Sequence, residues 1–210
     1  MLRAMSMYNV TRAMVEKILS NAQQMKWTYM GLGLIKLYLN NNVRLHVWDI
    51  RKAVDGVTMM HDHPWDFTST VIAGCVRQIR YREYTGHDGA KYIPFIKGRV
   101  ECGVGLCPNT AVREVRLIGG EPEIYQHGDS YHQFAHEIHY TQPDIGTVTV
   151  VEAAFNPGSD KTASVYWQKD TEFVSAGRTR QATPDEVEHF TRTALTRHFG
   201  FEVQPSKLRL

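Results

Sequence analysis

The chain is short of cysteine, of charge imbalance and of long apolar runs, and each shortage removes a class of function. Only three cysteines occur in 210 residues, Cys75, Cys102 and Cys107, too few and odd in number for a disulfide framework. The spacing of Cys102 and Cys107 hints at a zinc knuckle, but no second pair accompanies them, so buried strand thiols are expected. Lys and Arg number 24 against 22 Asp and Glu, a net charge of +2, so no broad field exists to hold nucleic acid or an anionic membrane surface. No apolar run approaches the ~18 residues of a membrane span. The opening residues, Met1 to Tyr8, lack the apolar core of a secretory signal. With 42% hydrophobic and 22% charged residues, the expectation is a globular, soluble, cytoplasmic protein with neither nucleic acid nor membrane as partner.

Periodicity divides the chain into three parts. From Thr11 to Met25 the apolar residues Met14, Val15, Ile18, Leu19, Ala22 and Met25 recur at three- and four-residue spacing, one face of a helix that Asn9 or Thr11 can cap. After Gly31 the pattern alternates. Leu32 to Leu39 and Val43 to Val47 flank Asn40-Asn41-Asn42 and read as a hairpin whose turn exploits the tolerance of asparagine for positive φ. Further runs rich in Val, Ile, Thr, Tyr and Phe follow at 68–82, 112–118, 131–140, 146–155 and 163–168. No strand–helix alternation appears, which disfavours a parallel α/β sheet and favours a sandwich or barrel. Near the C-terminus, Thr183-Pro184-Asp185-Glu186 is a capping box with proline at the first helical position. Val187, Phe190, Ala194 and Leu195 continue as a stripe meant for the sheet or for a partner chain. The division expected is a helical arm at 1–30, a β-barrel at 31–170 and a helical extension at 171–210, ending in a loose tail from Gln204.

Histidine is the residue in excess: ten are present, six of them between 61–63 and 127–139. In a strand, residues two apart share a face with Cα atoms roughly 6.5–7 Å apart, so His61 and His63 can converge on one ion at about 2.0–2.1 Å while Asp62 points away. Two imidazoles bind a divalent ion weakly, so a third ligand must come from elsewhere. In a strand starting at Tyr131, His132 and His136 share a face but lie about 13 Å apart, so only one can join the pair. As a helix the two would stand at i, i+4 like a zinc-peptidase motif, but Gln133 replaces the expected general base and Gly128-Asp129 reads as a turn into a strand.

Gly56, His61-Asp62-His63 and Gly74, followed about fifty residues later by Gly128 and Tyr131-His132, resemble the two-motif signature of the cupin superfamily. The resemblance covers roughly residues 43–155. It implies a mainly β fold, a double-stranded β-helix or jelly-roll barrel with a helix at each end, and metal ligands at His61, His63 and His132. It departs from the family where the acidic ligand should fall, since those positions hold Phe67 and Thr68. Asp66 is one residue early and would need a bulge to turn inward. A sphere of three neutral imidazoles results, leaving the full charge of one divalent transition metal facing the pocket. Three-histidine cupins include iron dioxygenases, so the resemblance implies a non-haem Fe(II) dioxygenase acting on a small anionic molecule, with Zn, Ni, Mn and Cu left open as metals. The residues of the thiol dioxygenases are absent from Val148 to Glu152. The alternatives are an isomerase or epimerase using His63 or His132 with Tyr131 or Tyr140 as acid and base, a ligand-binding cupin without chemistry, and a His-x-His that is only a polar strand.

Around this site, Trp65, Tyr131 and His136 are candidate substrate contacts. Phe67 reads as core. His136 and His139 either orient a neighbour or face solvent. Arg77, Arg80 and Arg82 form a solvated face, unless one enters the barrel, which would favour a carboxylate-bearing substrate. His87, His189 and His198 carry no role. By resemblance, the partner expected besides the substrate is a second copy of the chain.

Overall fold

The computed structural model describes residues 10–55, 60–86, 92–101, 105–106, 112–153, 162–171 and 179–201. Gly56, His87, Cys102, Cys107 and the tail from Gln204 lie outside the described residues. In chain order the elements are α1 (Arg12–Ser20), a 3₁₀ turn (Ala22–Gln24), β1 (Thr28–Met30), β2 (Leu32–Tyr38), β3 (Val43–Ala53), β4 (Met60–His61), β5 (Phe67–Ala73), β6 (Cys75–Glu83), β7 (Ile93–Glu101) and β8 (Gly105–Leu106). There follow β9 (Arg113–Gly119), β10 (Glu123–Gln126), β11 (Ser130–Gln133), β12 (Ile138–Pro143), β13 (Val148–Ala153), β14 (Thr162–Gln168), β15 (Arg180–Gln181) and α2 (Pro184–His198). The fold is mainly β, with two antiparallel sheets and one α-helix near each end, compatible with a jelly roll.

The first sheet runs β11-β5-β13-β3-β2-β1-β15. Its strands alternate, and one face belongs to the helices. Val43, Leu45, Val47, Ile72, Val148 and Val150 pack with Val15 and Leu19 of α1 and with Val187, Phe190 and Ala194 of α2. Each such side chain contributes about 1.5–3 kcal/mol by leaving water. Thr183 caps α2 with the full capping box, its side chain accepting from Glu186 N–H while the Glu186 carboxylate accepts from Thr183 N–H at 2.8 Å. Thr11 is the cap of α1, accepting from Met14 N–H. Met14 itself, placed by its spacing on the buried stripe, is 51% exposed. The segments that carry α1 and α2 are tied to this layer and to each other. Arg180 and Gln181 pair with Tyr29 and Thr28, and the Arg12 guanidinium donates to the carbonyls of Ile72 and His198.

The second sheet runs β10-β6-β12-β4-β14-β7-β8, with β9 pairing both β6 and β7. The pairings β6-β12-β4-β14-β7-β9 therefore close into a ring. Met60, Phe95, Val115, Leu117, Ile138 and Tyr166 form a core of their own. The other side of β4, β12 and the first half of β6 faces the first sheet across a separate core of Phe67, Val71, Val76, Tyr131, Val151 and Ala153. On β12, His139 and Thr141 are buried on the side turned to the first sheet, and this decides where the histidines go.

Three readings of the strand region change. The run 68–82 is two strands in different sheets, broken at Gly74 with φ +83°, where an added Cβ would stand 2.4 Å from Thr147 Oγ1. The run 131–140 is also two strands, β11 and β12, separated by a turn in which His136 adopts φ +62°. The asparagine turn forms as expected but by another mechanism: Asn40 Oδ1 accepts from the backbone N–H groups of Asn42 and Val43, each at 2.8 Å, and none of Asn40, Asn41 and Asn42 has positive φ.

Candidate metal centre

His61 and His139 stand directly opposite one another on the adjacent strands β4 and β12. Such cross-strand partners hold their Cβ atoms about 4.5–5.5 Å apart on one face. His63, two residues beyond His61 and just past the end of β4, reaches the same side. The ring centroids of His61 lie 4.6 Å from those of both His63 and His139, and His63 stacks on His139 at 5.2 Å. One ring nitrogen from each falls within 4.8 Å of the other two. His61 Nε2 and His63 Nε2 are 3.1 Å apart.

That separation suits a shared ion. Two nitrogens each about 2.05 Å from one metal and 3.1 Å apart subtend an angle of roughly 100°, between octahedral and tetrahedral values. The protonation states agree. Burial holds the imidazoles of His63 and His139 well below the ordinary histidine value, and the neighbouring His61 presses both further down. At neutral pH these two rings are neutral and keep a lone pair for an ion. The Nδ1 of His139 is buried without a hydrogen-bond partner, a cost that a protein seldom bears without return. Residues and geometry therefore fit a metal held by three imidazoles.

The surrounding residues wall the cluster rather than add ligands. Phe67 sets its ring edge-on to His63 at 5.0 Å and lies 6.2 Å from His139, occupying the position where the cupin pattern would carry its acid. Trp65 is half-buried, its ring 5.8 Å from that of His63. Asp62 points away and is 3% exposed, accepting from Ser164 N–H at 2.7 Å. Asp66 does not turn inward: its carboxylate accepts from Ala135 N–H at 2.6 Å and so fastens the 134–137 turn.

The structure brings together only two of the three histidines chosen from the cupin pattern. His132 lies on the outer face of β11, exposed, with Nδ1 3.2 Å from Thr68 Oγ1 and its ring against Phe134. The third imidazole of the cluster is His139. In a regular strand, neighbours face opposite ways, so Tyr131 and His132 do not share a pocket. Tyr131, apolar and 8% exposed, takes the inner face, and burial pushes its hydroxyl up to about 12. His136 is exposed; its N–H donates to the His63 carbonyl at 2.6 Å, and its side chain lines a cavity of about 450 Å³ with Asp62, Tyr81, Lys97 and Tyr166. It positions the backbone beside the site from outside. The helical alternative for His132 and His136 is not formed, since Ser130–Gln133 is a strand. Arg80 contributes to the surroundings, bridging Glu123, Glu137 and the His132 carbonyl.

His139 was legible in part: Ile138 and Tyr140 alternate with His139 and Thr141, which puts the histidine on the less apolar face. What was missing is that this face is interior. No family model matches the chain, and no curated protein matches it. What the structure carries is the two antiparallel sheets, compatible with a jelly roll, and the close histidine triad.

Proposed function

We propose that His61, His63 and His139 bind one divalent transition metal, with Fe(II) favoured, and that the protein is a cupin-type non-haem dioxygenase for a small anionic molecule. The observation that carries this reading is the convergence of three ring nitrogens within 4.8 Å in the interior, two of the rings held neutral by burial. With no carboxylate among its ligands, such an ion keeps its double charge and supplies Lewis acidity and, as iron, redox chemistry toward dioxygen. The chain's own part is to hold three lone pairs in place and keep water from the His63 side through Phe67 and Trp65. Asp66 fixes the turn that leads into β12. A dioxygenase places both oxygen atoms in its product and needs no external reductant.

The epimerase alternative keeps no base apart from His63, which the metal reading uses as a ligand. Tyr131, with its hydroxyl pushed up to about 12, remains a proton donor in hydrogen bonds and is not a base at neutral pH. Tyr140 packs against the other core.

The test is metal analysis of the freshly purified chain, followed by oxygen uptake with Fe(II) restored across a panel of small carboxylates. Close to one metal per chain and oxygen consumed in proportion to product are expected. Absence of bound metal under saturating Fe(II), Zn(II) and Ni(II) would overturn the reading, and full turnover in anaerobic chelator would overturn its oxidative part.

A further inference from the structure

The ring of strands β6, β12, β4, β14, β7 and β9 has an apolar floor and a polar mouth. Met60 and Phe95 belong to its core. Strand alternation brings the residues two further along to the same inner side, and these are Asp62 and Lys97. With Tyr81, Glu83, Ser164 and Tyr166 they line the cavity of about 450 Å³ that His136 borders. Small-molecule sites run from roughly 300 to 1,000 Å³, and the mouths of β-barrels are common places for them. Asp62 lies between His61 and His63 in the chain but points the other way, so the cavity and the histidine cluster stand back to back across residues 61–63.

The charged groups of the mouth differ in how they are compensated. Lys97 Nζ stands 2.8 Å from Glu83 Oε1, and Glu83 also meets Arg113 at 2.7 Å. Glu137, at the rim, pairs with Arg80. Arg82 is exposed, and as the strand neighbour of Tyr81 and Glu83 it falls on the outer side. Asp62 is the exception. It is 3% exposed, its carboxylate accepts from the Ser164 N–H at 2.7 Å, and it makes no ion pair among the described residues. A main-chain N–H fills one of about four acceptor positions on a carboxylate and brings no charge, so the floor of the cavity keeps a negative charge and acceptor capacity to offer.

The walls agree with a cation as occupant. The Lys97 ammonium already lies 5.4 Å from the Tyr166 ring centroid, within cation–π range, and Tyr81 adds a second aromatic side chain to the lining. His136 holds φ +62° at the rim, and backbone outliers of this kind gather at ligand sites. A bare metal ion would leave most of such a volume empty, whereas an organic cation has a body to fill it.

We propose that this cavity binds a small primary ammonium compound, its –NH₃⁺ donating to Asp62 and its apolar body lying against Tyr81 and Tyr166. The charge is opposite to that of the molecule proposed for the metal centre, and the site does not rest on that proposal.

The experiment titrates 2-phenylethylammonium chloride into the full-length protein by calorimetry, once after chelator treatment and once loaded with Zn(II), and follows the His136 ring by NMR. One saturable site per chain and a shift of the His136 ring are expected in both forms. The neutral 2-phenylethanol and the anionic 3-phenylpropanoate, similar in shape, should bind more weakly by about tenfold or more, the worth of one hydrogen bond to a charged group. Asp62→Asn keeps an acceptor for Ser164 N–H but removes the charge; it should weaken ammonium binding by the same factor and leave 2-phenylethanol within about twofold. Glu188→Gln, on the exposed side of α2, is the matched control and should change neither. Circular dichroism checks folding, and if Asp62→Asn does not fold, the ranking of the three compounds on the wild type and the His136 shift still decide. No saturable ammonium binding, an alcohol or carboxylate bound as tightly, or unchanged affinity in folded Asp62→Asn would overturn the site. Ammonium binding in a protein that takes up no metal would leave this site standing and remove the metal reading, and metal uptake without ammonium binding would do the reverse.

Discussion

Replacing His139 by alanine is the sharpest perturbation of the proposed site, because it removes the ligand that only the tertiary structure supplies. The two remaining imidazoles, with Nε2 atoms 3.1 Å apart, form a bidentate site. Structural zinc bound by four ligands in small peptides is worth about 10–16 kcal/mol at pH 7, or roughly 2.5–4 kcal/mol per ligand if shared evenly. At 1.4 kcal/mol per tenfold, losing one ligand lowers affinity by about 10²- to 10³-fold. The assay is competition for Zn(II) or Co(II) against a chromophoric chelator, with His132→Ala as the matched control. His132 is exposed and outside the cluster, so its loss should leave affinity within about twofold. Because His139 is 2% exposed, thermal unfolding must show that the variant is folded at the assay temperature. Wild-type affinity in folded His139→Ala, or an equal loss in His132→Ala, would refute the assignment.

Other outcomes follow from the same geometry. The metal-free protein should lose stability on acidification. His63 and His139 titrate well below their unfolded value of about 6.5, so below that pH the unfolded chain binds more protons than the folded one. Their contribution is complete above about pH 6.5 and falls by up to about 1.4 kcal/mol per pH unit for each histidine below it; urea midpoints at pH 7.5 and 5.5 measure this, and a flat profile would contradict it. Gly74→Ala should destabilise by about 2–4 kcal/mol, since it combines φ +83° with a Cβ 2.4 Å from Thr147 Oγ1. Gly128→Ala, with φ +91° but nothing within 4 Å, should cost only about 1–2 kcal/mol, and calorimetry of the two separates crowding from backbone strain. Thr183→Ala removes the hydroxyl half of the α2 capping box and should cost about 1 kcal/mol in chemical denaturation.

Local chemistry was enough to read much of this protein. The capping box at Thr183, the apolar stripe of α2, the alternation around the asparagine turn and the His-x-His pair all follow from interactions between residues close in the chain, so their spacing carries them. The convergence of His61 and His63 needs only strand alternation. The third imidazole needed more. A turn at Phe134–Glu137, with His136 at φ +62°, separates β11 from β12, and the ring of pairings around β6 gives β12 a second core. The less apolar face of β12, where His139 and Thr141 sit, is thereby buried against the first sheet. Arg44 and His46 show the same limit. In sequence they are the polar half of an ordinary alternating strand, which one expects to face water. Helices α1 and α2 cover the apolar face of that strand, so its polar residues turn toward the second sheet instead of water. Spacing along the chain decided which side chains share a face; only the packing of one sheet against another decided which faces meet.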